Sequence, residues 1–388
     1  MKESVFILVL LLSVSVVVSF PQIGTVNAEA DTIVVPDDYS TIQEAIDNAL
    51  SGDTVFVKSG TYVNQSLAIT KPLSLVGENP ETTIIHGEDP VYFPSISFAI
   101  YFDADDVQIS GFTVITSIQV RGIFGSGDRI RIENNIIKSS DNIGIGFWGN
   151  NSIITNNNLN GGVLHCSGSS NAIIENRISG AGTAIEIGGS FNTISKNFLI
   201  EARGIIVNGD SNQINCNIIK DGGVGVSLNS GSLNVVFENN ITSNGGTGIH
   251  IYTASNNLVR DNYITNNGYG ISLSGRFYCA ENNTFYRNTL INNSYNIRIE
   301  EPYYANNWDN GSEGNYWDDY NGTDTNGDGI GDTPYIIDEN NQDNHPIVDY
   351  STIPEFPSWT PLLIMLVAVM VVAVVYKRKL PSQGGRNT

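Results

Sequence analysis

The segment GTDTNGDGIGDTPYIID, residues 322–338, has oxygen-bearing side chains at alternate positions with glycines between them. Ca²⁺ prefers hard oxygen ligands spaced in this way, and Gly327 and Gly329 permit the tight turn that such a loop needs. The predicted ligands are Asp324, Asn326, Asp328, the main-chain carbonyl of Ile330, and Asp332. Tyr335 stands where an EF-hand has its bidentate glutamate. We expect a structural calcium ion here; an acidic, glycine-rich turn without an ion is the alternative.

His165 and Glu186 are the candidates for acid–base chemistry. If each occupies the outward position of its strand, they lie in adjacent coils of the repeat described below, about 5 Å apart. His250 falls three coils beyond Glu186, about 15 Å away. The same outward column contains no group of acids with an adjacent Lys or Arg. Because an isolated pair on a solvated sheet is usually incidental, the sequence favours a non-catalytic protein.

The elements that position these residues belong to a repeat. The hexamer apolar-x-x-Asn-x-apolar recurs with its asparagines 19 to 26 residues apart, at Asn135, Asn157, Asn176, Asn197, Asn217, Asn239, Asn262 and Asn288. About ten residues after each hexamer comes a second short strand, such as AIEI at 184 or GIHI at 248. Strands this short are stable only when stacked coil on coil, so the period predicts an all-β, single-stranded, right-handed parallel β-helix. Asparagine suits its corners because it tolerates a left-handed backbone and its amides can bond to one another.

The outward positions of the second strand form a predicted column along the rod. Its members are Gly146, His165, Glu186, Ile206, Ser227, His250, Ser272 and Arg298. A short amphipathic helix in STIQEAIDNALSGD is predicted to cover the first coil, because a solenoid otherwise leaves apolar edges open. Ser40 and Gln43 are placed as its capping box, and Ile42, Ile46 and Leu50 share one face. Trp308, Tyr316, Trp317 and Tyr320 are expected to pack over the last coil.

Both ends of the chain predict export and anchoring. Residues 1–28 have a lysine, an apolar run and small residues at the end, which is typical of a cleaved signal peptide. Residues 359–376 carry no charge and are followed by Lys-Arg-Lys, which predicts a transmembrane helix with a cytoplasmic tail at 377–388. We therefore expect a single-pass cell-surface protein whose β-helix lies outside the cytoplasm. Seven Asn-x-Ser/Thr sites are compatible with glycosylation there.

The composition excludes one class of partner. With 40 acidic and 19 Lys and Arg residues, the formal net charge is −21. A surface this acidic repels phosphate backbones, so we expect no nucleic-acid partner. Cys166, Cys216 and Cys279 are an odd number without metal-like spacing, which favours isolated thiols over a disulfide framework or a zinc site.

The sequence from VPDDYSTIQEAIDNALSGDTVFVKSGTY to the closing segment resembles the NosD-type β-helix family, within the pectin-lyase-like fold. The closing motif GNYWDDY, followed by DTNGDGIGDTPY, carries most of this resemblance, and PEFPSW resembles the stalks that precede the anchors of archaeal surface proteins. The resemblance implies a link to copper. The residues do not favour it, because no methionine lies between the two terminal apolar segments and His86, His165, His250 and His345 belong to separate coils or segments.

The predicted organisation is a signal peptide (1–28), an N-terminal cap with the first coils (31–97), β-helix repeats (98–300), a closing segment (301–350), a linker (351–358), the membrane helix (359–376) and the tail (377–388). The favoured function is a membrane-anchored, non-catalytic surface β-helix that binds cell-envelope polysaccharide or surface proteins. The alternatives are a polysaccharide lyase or glycoside hydrolase, and a NosD-like copper accessory protein.

Overall fold

The computed structural model describes residues 30–87, 97–140, 143–275, 280–300 and 304–349. The predicted signal peptide, linker, membrane helix and cytoplasmic tail lie outside these ranges, as does Cys279. Within them, no helix is both long enough and apolar enough to span a bilayer.

The described chain winds into a parallel β-solenoid of the right-handed type with about twelve turns, so the predicted all-β solenoid is confirmed. Sheet 1 consists of Thr32–Val35, Thr54–Val57, Ser74–Gly77, Gln108–Ser110, Arg131–Glu133, Ile153–Thr155, Ala172–Ile174, Thr193–Ser195, Gln213–Asn215, Val235–Phe237, Leu258–Arg260 and Thr284–Tyr286. Sheet 2 consists of Gly60–Gln65, Thr83–Gly87, Thr113–Thr116, Ile136–Ser139, Asn158–Asn160, Arg177–Ser179, Phe198–Ile200, Ile218–Lys220, Asn240–Thr242, Tyr263–Thr265, Thr289–Ile291 and Tyr316–Trp317. Sheet 3 consists of Leu67–Ile69, Ser97–Asp103, Val120–Ser126, Ile143–Trp148, Val163–Ser167, Thr183–Gly188, Arg203–Asn208, Val224–Ser230, Thr247–Tyr252, Tyr269–Ser274 and Tyr295–Ile299.

The core is a stack of aliphatic side chains that repeats from coil to coil. Ile173, Ile194 and Ile214, at equivalent positions of sheet 1, are fully buried and in register. Because successive residues of a strand point to opposite faces, each three-residue strand contributes one central side chain to the core. The first apolar residue of each hexamer in the repeat is therefore a core position.

The predicted asparagine ladder is present at the corner between sheets 1 and 2. Asn217 is representative: its Oδ1 accepts from the backbone N–H and the Nδ2 of Asn197, at 2.9 and 3.0 Å. Its own Nδ2 donates to Asn239 Oδ1 and to the carbonyl of Ile194, both at 2.9 Å. The left-handed backbone lies one residue earlier than expected, at positions such as Lys196 and Cys216. The ladder asparagine thus satisfies buried backbone groups while its predecessor makes the bend.

A second ladder, which the hexamer did not predict, runs along the corner between sheets 3 and 1. Its buried members are Asn171, Asn192, Asn212, Asn234, Asn257, Asn283 and Asn306. Each is hydrogen-bonded to the equivalent asparagine of the next coil, as in the first ladder. The side chain of Asn212, for example, donates to Asn234 Oδ1 at 3.0 Å. Here too the preceding residue has a positive φ, as at Ser211 and Leu233.

The N-terminal helix spans Ile42–Asn48 and buries Ile42 and Ile46. Two details of the prediction are wrong. The cap is Thr41, whose side chain accepts from the Glu44 N–H at 3.1 Å, and not Ser40 with Gln43. Leu50 lies beyond the helix and is 63% exposed, because the chain leaves the helix at Ala49 in an extended conformation.

The closing segment covers the last coil, as predicted for its tryptophans. Trp308 and Trp317 are fully buried, and the Trp308 ring stacks on Phe285 at 4.4 Å. Both ladders end on this segment. Asn341 accepts from Trp308 Nε1 at 3.0 Å, and Asp343 accepts from Trp317 Nε1 at 2.8 Å and from the Asn315 N–H at 2.7 Å. Tyr335–Ile336 and Gln342–Asp343 form a short antiparallel pair at this end.

Candidate functional site

The outer face of sheet 3 carries the predicted column in the predicted register. Strand pairing aligns Gly146, His165, Glu186, Ile206, Ser227, His250, Ser272 and Arg298, one from each successive coil. The column is more closely packed than a solvated face, because Ser227 and Ser272 are almost fully buried beneath the larger side chains beside them.

His165 and Glu186 lie side by side, as expected. His165 Nδ1 is 3.4 Å from Glu186 Oε2, and its Nε2 is 3.0 Å from Ser167 Oγ. Both side chains are partly open to solvent. The long contact between the ring and the carboxylate makes this a loose pair, and its role as a catalytic candidate stays a prediction.

His250 occupies a more enclosed position on the same face. Its Nε2 is 2.8 Å from Ser274 Oγ, and its Nδ1 is 3.5 Å from Ser227 Oγ. Burial lowers the pKa of His250, and the positive charges of Arg203 and Arg298 act in the same direction, against Glu300. The imidazole is therefore neutral at pH 7 and can accept a proton. Sequence reasoning placed His250 and Ser227 in the column but missed Ser274, which the register of the next outward position would have revealed.

Aromatic rings flank the column towards the C-terminal end. Tyr252 lies beside His250, with ring centroids 6.0 Å apart. Tyr269 and Tyr295 stack at 5.5 Å, and the Arg298 guanidinium lies 5.1 Å from the Tyr269 ring. Tyr295 is 63% exposed. It also lines an open groove of about 660 Å³ between the last strand of sheet 3 and the closing segment.

A second aromatic group lies on the same face towards the N-terminal end. The Phe98 and Phe124 rings stack at 5.3 Å, and the Trp148 ring meets Phe124 edge-on at 4.9 Å. The Arg121 guanidinium lies 4.2 Å from the Phe124 centroid and 5.8 Å from that of Phe98. Gly146 permits this arrangement, because a Cβ there would come within 2.8 Å of the Phe124 ring.

The predicted calcium loop is held by its own backbone. Asp324 accepts from the N–H groups of Gly327 at 2.7 Å and Gly329 at 2.8 Å, and Asp328 Oδ1 accepts from the Ile330 N–H. The Asp332 carboxylate accepts hydrogen bonds from the Thr325 hydroxyl at 2.6 Å and from the Thr325 N–H. These bonds lower the pKa of Asp332. In the described ranges, no three Asp, Glu, His or Cys side chains come together as an ion-binding group. The calcium site therefore stays a prediction, with the ligands Asp324, Asn326, Asp328, Ile330 and Asp332.

The described residues do not fit a copper site. His165 and His250 are four strands apart on sheet 3, about 19 Å at the spacing of neighbouring strands. His86 lies on sheet 2, and His345 lies in the closing segment, 3.3 Å from Asp309. Burial raises the pKa of the Cys166 thiol to about 12, which disfavours the thiolate that binds soft metals.

Comparison with known proteins agrees with this architecture. Residues 165–322 match the family described as Periplasmic copper-binding protein (NosD). Over these residues, about two fifths of the chain, the β-helix is similar to the NosD family. The match begins on the sheet 3 strand that carries His165 and ends just before the acidic loop. The resemblance is therefore confirmed for these repeats and for GNYWDDY, whereas DTNGDGIGDTPY lies beyond the matched residues. No curated protein sequence matches this chain.

Two of the solved structures to which this chain is similar are a glucanase domain and a lyase. The catalytic domain of a GH87 α-1,3-glucanase, in complex with nigerose, aligns with a TM-score of 0.53 and 13% identity, over 72% of this chain and 69% of that one. A mannuronic acid-specific family 6 lyase from human gut microbiota aligns with a TM-score of 0.49 and 15% identity, over 72% and 87%. At 13% identity the similarity to the glucanase domain is one of fold, and activity has to be argued from this chain's own residues.

Proposed function

We propose that this β-helix protein binds a polysaccharide of the cell envelope along the outer face of sheet 3, without catalysing its breakdown. The observation that carries the proposal is the line of exposed aromatic rings and polar side chains on this one continuous face. Trp148 is 50% exposed and Tyr295 63% exposed, and His165, Glu186 and Arg298 lie between or beside them.

The arrangement suits an extended ligand better than a small one. Trp148 and Tyr252 occupy equivalent outer positions five strands apart, about 24 Å at the spacing of neighbouring parallel strands. Aromatic faces bind the apolar faces of sugar rings, while the serine, histidine and arginine side chains between them offer hydrogen bonds to hydroxyl groups. A chain of sugars running along the rod would contact both aromatic groups at once.

The proposed location is the outer side of the membrane, with a C-terminal anchor. It rests on the apolar segments at both ends of the sequence and on the periplasmic description of the matching family. A β-helix held by one end at the membrane projects its long face into the envelope, where polysaccharide is the abundant ligand.

A glycan array with the full-length protein in mild detergent tests the proposal. Replacement of Tyr252 and Tyr295 by alanine should weaken binding about tenfold, because each lost aromatic contact contributes about 0.5–1.5 kcal/mol. Tyr263→Ala is the matched control, since Tyr263 is 41% exposed but lies on sheet 2. Equal losses in both variants, or no glycan bound by the parent protein, would contradict the proposed surface.

The second candidate is hydrolysis or elimination on the same face, and His250 favours it. A neutral imidazole held by Ser274, with its pKa lowered by burial and by the positive charges of Arg203 and Arg298, has the properties of a general base. Incubation with the glycans that bind, followed by analysis for shortened or unsaturated products, decides between the two. Catalysis at His250 would be established if the parent protein shows turnover, the His250→Asn variant shows none and the Glu186→Gln variant keeps it. If no bound glycan is turned over, the result supports a binding protein.

A further inference from the structure

Arg121 occupies an unusual position on the outer face of sheet 3. It is half-buried, and its guanidinium lies over the stacked rings of Phe124 and Phe98. Its Nε is buried and has no hydrogen-bond partner among the described residues. A buried donor without a partner normally costs about 1–3 kcal/mol, so native structures rarely keep one without a reason.

Five Lys and Arg side chains of the described ranges form no ion pair with a described carboxylate, namely Lys71, Arg121, Lys138, Arg177 and Arg203. Among them only Arg121 has a buried nitrogen without a hydrogen-bond partner. Eight basic side chains of the described ranges form ion pairs with carboxylates: Lys58, Arg129, Arg131, Lys196, Lys220, Arg260, Arg287 and Arg298. Burial lowers the pKa of Arg121, and no carboxylate among the described residues offsets this effect. The group remains a cation, because an arginine pKa stays far above 7.

The surroundings of Arg121 select the kind of anion that would pair with it. Its planar fork of N–H donors matches the two oxygens of a carboxylate, and the aromatic rings beneath it reduce the competition from water. Trp148, packed edge-on against Phe124 and 50% exposed, offers a ring face next to the same Phe124 ring that the guanidinium covers. A carboxylate and a flat apolar ring face on one ligand are the features of an acidic sugar.

We propose that Arg121 and Trp148 form a binding subsite for a carboxylate-bearing sugar, so that the ligand of this face is an acidic polysaccharide. This inference rests on the proposed carbohydrate binding and adds the chemical class of the ligand. The net charge of −21 opposes any polyanion at long range, as it opposes nucleic acid, so the proposed contact depends on the local cation of Arg121. Charges farther away than about 8 Å are screened at physiological ionic strength.

The test compares two oligosaccharides of equal length and linkage, an oligomer of glucuronic acid and the corresponding oligomer of glucose. The full-length protein should bind the acidic oligomer at least about tenfold more tightly, which is the contribution of one charge-assisted pair. Arg121→Gln should remove this preference, and Arg121→Lys should restore only part of it, because lysine keeps the charge but lacks the fork.

Arg177→Gln is the matched control. Arg177 lies 4.5 Å from the ring of Phe198 on sheet 2, in a similar cation–π contact but on another face. This variant should keep the full preference for the acidic oligomer. Lowering the pH until the ligand's carboxylates are protonated should weaken binding to the parent protein and leave Arg121→Gln unchanged, which separates recognition of the anion from any loss of stability.

Each result has a definite meaning. If both oligomers bind equally and Arg121→Gln has no effect, the acidic-ligand inference is wrong while carbohydrate binding stands. If neither oligomer binds and the glycan array is also negative, both proposals fail. If the preference for the acidic oligomer survives Arg121→Gln but not Arg298→Gln, the anion is received at the other end of the face and the assignment to Arg121 is overturned.

Discussion

At the scale of single residues, the outer face of sheet 3 shows what the residue types could and could not reveal. The column from Gly146 to Arg298 was predictable, because a period of two fixes which residue of each strand points outwards. The enclosure of His250 was not, since it depends on Ser274 of the next strand and on how deeply the ring is covered. Arg121 was missed for the same reason, because the lack of an acid partner among the described residues is a property of three-dimensional neighbours.

Asp343 provides a prediction at this scale. The side chain is fully buried, and burial raises its pKa to about 6, despite hydrogen bonds from Asn315, Trp317 and His345. Because the folded state holds this proton more tightly than the unfolded state, stability should fall as the pH rises from about 4 to 6. At one pKa unit per 1.36 kcal/mol, the difference amounts to about 2–3 kcal/mol.

Urea titrations at several pH values between 4 and 7 measure this loss. Asp343→Asn keeps an oxygen for the Trp317 and Asn315 donors and cannot ionise. The difference in unfolding free energy between parent and variant should therefore change across this interval, in favour of the variant at the higher pH. A constant difference would show that Asp343 does not titrate in the folded protein.

At the scale of elements, one ladder was predictable and its twin was not. The first was visible because its asparagine sits at a fixed place inside the apolar hexamer. The second ladder also has a fixed register, because each of its asparagines that precedes a sheet 1 strand lies two residues before the central apolar residue of that strand, as at Asn192 before Ile194 and Asn212 before Ile214. An extended motif, Asn-x-apolar-x-x-Asn-x-apolar, would have found both. The variable residues around the second corner, Phe191 and Leu233 among them, concealed it.

The ladder carries a prediction of its own. Asn217→Ala removes four hydrogen bonds of the side chain and leaves the donors of Asn197 without their acceptor. Since each buried unsatisfied group costs about 1–3 kcal/mol, the variant should lose about 3 kcal/mol or more of unfolding free energy. Asn158→Ala, an exposed position on sheet 2, should stay within about 0.5 kcal/mol of the parent. Similar denaturation midpoints for the two variants would refute a stabilising role for the ladder.

At the scale of the whole molecule, stability depends on how the two ends of the solenoid are closed, because each coil contacts only its neighbours. The N-terminal end has the helix Ile42–Asn48, and the C-terminal end has the closing segment with its two buried tryptophans. The acidic loop belongs to that second closure. Gly331 donates to the carbonyl of Pro346 at 2.8 Å and Val348 to that of Gly329 at 3.0 Å, and the neighbouring Ile347 donates to Asn315 of the last coil.

This connection gives the calcium hypothesis a measurable consequence for the rod. An ion bound by the folded loop only, at a hundred times its dissociation constant, would stabilise the fold by about 2.7 kcal/mol. We expect Ca²⁺ to raise the melting temperature of the full-length protein and a chelator to reverse it, with hydrogen exchange slowed first in residues 322–348. Asp324→Asn with Asp328→Asn should remove the response, whereas Asp210→Asn, an exposed acid at a sheet 3 to sheet 1 corner, should preserve it. If Ca²⁺ changes neither melting nor exchange, the loop closes the solenoid through the backbone hydrogen bonds of Asp324 and Asp328 alone, since these bonds already fix its conformation without an ion.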